Sequence, residues 1–166
     1  MEAGDSAEPD DIWLRPVTNE NHLKRTTATV HHAALKKWLE PPDDPDRPWK
    51  LEVSGRLRSL VDSISADAIR KVDAQKANLI ASNKKVPSDL KYCGVLYSRA
   101  EDVRAITEFQ GDVIFEPTDD DPAHANVVIR DKGPNDILTV MDGLIRKLVF
   151  LSADQVAQNV HFSSCA

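Results

Sequence analysis

Asp119, Asp120, Asp121 and His124 place three carboxylates and an imidazole within six residues of one another. Such groups are ligands for divalent cations, and a bound cation can activate water for hydrolysis. Asp119, Asp121 and His124 form the candidate ligand set. A second reading stays open. Consecutive aspartates on a turn rarely all point inward, and the spacing matches no established metal motif. Pro122 favours a polar turn carrying a hydrogen-bonded histidine.

His31 and His32 offer partners for His124. Neighbours on a strand point to opposite faces, so only one of the two can enter a given site. Beside His124, either would complete a two-histidine acid–base pair. One imidazole would take a proton from a nucleophile and the other would give one to a leaving group. The arrangement resembles that of phosphoesterases with two His-x-Thr motifs. Ala34 and Asn126 stand where that family has its hydroxyl side chains. The resemblance implies phosphoester hydrolysis; the alternative is one buried and one exposed structural histidine.

Three further segments are candidates. In Ser54-Gly55-Arg56-Leu57-Arg58-Ser59 the glycine would let backbone amides and arginines meet a phosphate at a helix start. The nucleotide P-loop pattern is missing, and a strand-to-helix turn with solvent-facing arginines also accounts for the segment. Residues 94–101 read as a strand entering a helix, with Ser98 and Glu101 as a capping box. That strand is similar to the one that holds the nicotinamide side of NAD in ADP-ribosyltransferase-like folds. The resemblance implies NAD binding, but the catalytic glutamate of such enzymes has no counterpart after Glu116. Trp38 and Trp49 flank a loop with four prolines in residues 41–48. Exposed together they would mark a surface for a protein partner; buried, they would pin the loop. Ser54-Gly55-Arg56-Leu57, the Gly94 strand and the Asp121–Ala125 segment resemble a group of small bacterial proteins, a resemblance that implies no particular activity.

A chain of 166 residues is long enough to bury a core and short enough for one domain. The formal net charge of −6 is uneven, because Glu2, Asp5, Glu8, Asp10 and Asp11 carry most of it. The rest is close to neutral, which does not indicate nucleic acid as a partner. Arg15, Lys24, Arg25, Lys36 and Lys37 make a local basic cluster that reads as a solvated face. Two cysteines, Cys93 and Cys165, do not make a disulfide framework. No basic region followed by an apolar stretch opens the chain, and no apolar run is long enough for a bilayer. A cytosolic location is expected, with no membrane association.

The elements that must position these residues follow from hydrophobic period and turn chemistry. Residues 1–10 read as a disordered acidic tail, and residues 11–166 as the folded domain. Strands are expected over residues 12–17, 26–35, 49–53, 91–97, 112–116 and 124–130. Helices are expected over residues 56–83, as one or as two broken near Ser65, over 98–110, and over 136–149. Ser152 with Gln155 predicts a capping box on a short terminal helix. The order points to an α+β domain with a mixed or antiparallel sheet of about five to six strands and helices covering one face. Without a nucleophile elbow, a zinc set or a dinucleotide loop, the expected function is an accessory or regulatory protein that binds a protein partner. The alternative is a metal-assisted or two-histidine phosphoester hydrolase centred on His124, with an NAD-binding ADP-ribosyltransferase-like protein as the outlier.

Overall fold

The computed structural model describes residues 1–23, 34–35, 37–40 and 49–158, with 37–40 described in their backbone alone. The strands are β1 (Ile12–Asn19), β2 (Lys37–Glu40), β3 (Lys50–Leu57), β4 (Leu90–Arg99), β5 (Gly111–Phe115), β6 (His124–Arg130) and β7 (Val149–Ser152). Six of them follow one another in the order β5-β6-β3-β1-β4-β7, and β2 pairs with β3 beside that path. Every pairing is antiparallel. The helices are α1 (Ile64–Ala81), α2 (Ala100–Arg104), α3 (Ile137–Lys147) and α4 (Ala153–Ala157). This is the expected α+β domain, with the sheet fully antiparallel. No helix among the described residues is long and apolar enough to cross a membrane.

Alternation along the strands divides the core in two. Trp13, Leu51, Val53, Leu96, Val113 and Val127 pack with Val103 of α2 and with Val140, Met141 and Leu144 of α3. Leu14, Val95, Tyr97 and Leu151 pack with Ile64 of α1, and Val156 of α4 lies against them. Helical cover therefore reaches both faces of the sheet, one more than the hydrophobic pattern led us to expect. In α1 the buried residues Ile64, Ala68 and Val72 recur every four positions and form the stripe that meets the sheet. Asp67 and Lys71, also four apart, are carried on a neighbouring face of the same helix.

The helix expected from residue 56 begins at residue 64. Residues 50–56 are held as a strand by pairing with β6, and Ser63 caps the helix by accepting from the Ala66 amide. Tertiary pairing outweighs the apolar period that runs on through residues 57–61. Ser98 does not cap a helix. It lies inside β4 opposite Trp13, fully buried, with no hydrogen-bond partner for its hydroxyl among the described residues. The box at Ser152 and Gln155 forms as expected.

Residues 4–7, expected in a disordered tail, lie along the outer edge of β5. Gly4 and Ala7 amides donate to the Phe115 and Val113 carbonyls, and the Phe115 amide donates to the Asp5 carbonyl. The segment supplies partners to backbone groups that an edge strand would otherwise leave open.

β1 and β2 share the same side of β3. β1 pairs at Arg56 and Leu57, β2 pairs over residues 50–53, and Ser54 and Gly55 fall between them. The opening this leaves in the sheet is where the candidate site lies.

Candidate functional site

His124 opens β6 directly after the aspartate turn. The turn is tied by Thr118 and Asp121, whose amides and carbonyls bond reciprocally, and the His124 amide donates to the Asp121 carbonyl. On the sheet, His124 stands opposite Arg56 and Asn126 opposite Ser54. These four residues therefore share one face, with Ser54 and His124 as diagonal neighbours within side-chain reach. The Ser54 hydroxyl lies 3.0 Å from His124 Nε2. On the other side of the ring, Nδ1 lies 2.7 Å from the Glu116 carbonyl oxygen. A carbonyl only accepts, so Nδ1 carries the proton. In the neutral imidazole Nε2 then holds its lone pair toward Ser54 and accepts from Oγ–H. Asn126 Nδ2 donates to the Glu116 carboxylate at 2.6 Å, fixing the residue whose carbonyl orients the ring. Ser54 itself is exposed to solvent.

Arg56 anchors the neighbouring charge network. Its side chain is only 3% exposed, and its guanidinium meets Asp121 at 2.8 Å and also Asp67. Lys71 reaches Asp121 at 2.9 Å, and Arg70 reaches Asp67 at 2.6 Å. Burial raises the Asp121 pKa, but hydrogen bonds from Lys71 and Arg56, with their charges, outweigh it and hold the carboxyl below its usual value. For Lys71 burial is the largest effect and lowers its pKa, against the hydrogen bond to Asp121.

A pH prediction follows from Asp121. An ordinary aspartate titrates near about 3.9. Below that value the unfolded chain binds a proton that the folded Asp121 resists, so folding stability falls with falling pH until the lower folded-state value is passed. Urea midpoints measured from pH 5 down to pH 2 should fall more steeply for the wild type than for Asp121→Asn. Parallel profiles would mean that the network does not hold the carboxylate ionised.

Arg15 enters the opening between β1 and β2. Its Nε donates to the Ala34 carbonyl at 2.9 Å and its Nη1 donates to the Ser54 carbonyl. Among the described residues no carboxylate pairs with it. Desolvation lowers its pKa to about 10, which leaves it charged at neutral pH. A pocket of about 310 Å³ is lined by Arg15, Thr18, Ser54, Arg56, Lys71 and Gln75, with Pro16 and Gly55 completing it.

The structure separates the candidate metal ligands. Asp119 is exposed, Asp121 is taken by Arg56 and Lys71, and His124 is taken by Ser54 and Glu116. Among the described residues no group of three His, Cys, Asp or Glu side chains is placed to hold a metal ion. His31 and His32 lie outside the described residues, and so does the two-histidine pair. Trp38 pairs through its backbone with Glu52, while Trp49 is half-buried and its carbonyl accepts from the Asp131 amide. His124 and the Ser54–Arg56 segment stand out in the sequence, but their meeting does not. Ser54 and Arg56 are two apart, as residues on one strand face must be, although Gly55 between them reads as a turn. Comparison of the chain with protein-family models, with curated proteins and with solved structures gives no match.

Proposed function

We propose that the protein hydrolyses an ester, with Ser54 as nucleophile and His124 as general base. The observation that carries this reading is the Ser54 Oγ to His124 Nε2 contact at 3.0 Å, with Nδ1 held by the Glu116 carbonyl. A nucleophile beside a base, with the base oriented by a third group, is the arrangement that activates a hydroxyl. As Oγ bonds to the central atom of the ester, its proton passes to Nε2. The bond to the leaving oxygen breaks, and that oxygen takes the proton from Nε2. Water then repeats the sequence on the Ser54 ester, giving up its proton to Nε2 and releasing the product and free Ser54. His124 carries the proton in both halves, and the backbone carbonyl of Glu116 supports the imidazolium that forms between them.

The reading is tested without knowledge of the substrate. An alkyl phosphonofluoridate transfers its phosphonyl group to an activated serine and loses fluoride. Mass spectrometry of digested protein should find the adduct on the peptide carrying Ser54. Ser54→Ala should abolish it, and His124→Ala should slow it by about 10²- to 10⁴-fold, the usual worth of a positioned general base. Wild-type protein that stays unlabelled at Ser54, or a His124→Ala variant that labels at the wild-type rate, would end this proposal.

A further inference from the structure

The pocket beside Ser54 holds a half-buried cation, Arg15, which no carboxylate among the described residues pairs with. Two backbone carbonyls satisfy Arg15 donors, but carbonyls are neutral and do not neutralise the guanidinium. A desolvated charge is costly unless it is paired. Its neighbours do not supply the missing charge. Arg56, Arg70 and Lys71 already share two carboxylates, Asp67 and Asp121. Among the described residues no aspartate or glutamate lines the pocket. Its polar side chains are instead donors or donor–acceptors: the cations Arg15, Arg56 and Lys71, the hydroxyls of Thr18 and Ser54, and the amide of Gln75.

We infer that this pocket binds the phosphoryl group of a phosphate ester. The inference deepens the Ser54–His124 reading and rests on it for the substrate, though the anion site can be tested separately. A pocket of about 310 Å³ takes a small ligand. Donors from β1, β3 and α1 line the pocket, and a tetrahedral dianion suits them better than a planar carboxylate, because its oxygens can meet donors in several directions. Arg15 already donates to the carbonyl of Ser54, so its positive charge lies beside the residue that carries the nucleophilic oxygen. It is therefore placed to stabilise charge on the oxygens around phosphorus as the Ser54 Oγ–P bond forms and the bond from phosphorus to the leaving oxygen breaks. Arg15 and Lys71 would supply the positive charge that the ligand needs, and the ligand would supply the negative charge that Arg15 does not find among the described residues.

The probe is inorganic phosphate, with acetate as the carboxylate control, followed by calorimetry and thermal unfolding of the full chain. A ligand that binds only the folded state raises the melting temperature. Phosphate should raise it for the wild type and acetate should not. Arg15→Gln and Lys71→Ala should each lose about tenfold in phosphate affinity, as expected for one charge-assisted hydrogen bond. If Arg15→Gln does not fold, Lys71→Ala decides, since Lys71 sits on the half-exposed side of α1. Phosphate should also slow phosphonofluoridate labelling of Ser54. Failure of phosphate to bind the wild type, acetate binding as well as phosphate, or undiminished binding by the folded variants would overturn the inference. Phosphate binding without any Ser54 labelling would uphold the anion site and remove the serine reading alone.

Discussion

Gly55→Ala should lower the melting temperature by on the order of 10 °C and reduce Ser54 labelling with it. Gly55 is buried in β3 opposite Ala125 of β6. A Cβ built there lies 2.2 Å from ring atoms of Trp13, a distance no pair of side chains tolerates. Trp13 is 0% exposed, and its indole N–H donates to the Ala125 carbonyl at 3.2 Å. The ring therefore cannot move aside without breaking that bond and opening the packing around it. Overpacking of a filled core costs about 1–3 kcal/mol, and a buried indole N–H left without its acceptor adds about 1–3 kcal/mol. In a chain of this size each kcal/mol shifts the melting temperature by roughly 2–4 °C. Gly55 lies between Ser54 and Arg56, so a displaced strand also disturbs both site residues. Trp13→Leu in the Gly55→Ala background should recover part of the loss, because the smaller side chain vacates the space that Cβ needs. A double variant that simply adds the two single losses would show that the clash is not the cause.

The legible parts of this fold are those in which one local rule decided the conformation. β6 is expected over residues 124–130 and is found there, because a short apolar run, Val127-Val128-Ile129, leaves a turn rich in aspartate. The box at Ser152 formed because both partners sit in one turn. The capping pair at Ser98 does not form because pairing with β1 carries β4 through Arg99, past the residue that would have to cap. Arg56 shows the same conflict at the site. Beside Gly55 and followed by a helical period, it looks like a solvent-facing arginine in a turn. What buries it is Asp67 one turn into α1 and Asp121 after β5, neither of which is near it in sequence. His124 was legible as a residue poised at a strand mouth. Its partner was not, because Ser54 reaches it only through the register of β3 against β6. Arg15 looked like one member of a basic cluster. That no carboxylate among the described residues pairs with it arises where β1 leaves β3, a property of the sheet and not of the neighbouring residues.

Arg56→Ala should be the most damaging single change in the charge network, at about 3–5 kcal/mol. Removing one partner of a buried ion pair leaves the other charge desolvated and unpaired, and that penalty exceeds the worth of the pair itself. Here two carboxylates lose their shared partner at once. Asp67 and Asp121 are 16% and 13% exposed, so neither is well hydrated. Lys71 and Arg70 remain to meet them and should keep the loss toward the lower end of that range. Replacing the set as a whole tests the argument. Arg56→Met with Asp67→Asn and Asp121→Asn removes the three least exposed charges and keeps most of the volume, while Arg70 and Lys71, 73% and 47% exposed, turn to solvent. It should be more stable than Arg56→Ala, although it carries three changes instead of one. Its stability should also lose the steep fall below about pH 4 that Asp121 gives the wild type. Equilibrium urea unfolding of the two variants at pH 7 and pH 3 separates the cases. If the triple variant is the weaker at pH 7, Arg56 contributes by packing and not by neutralising buried charge.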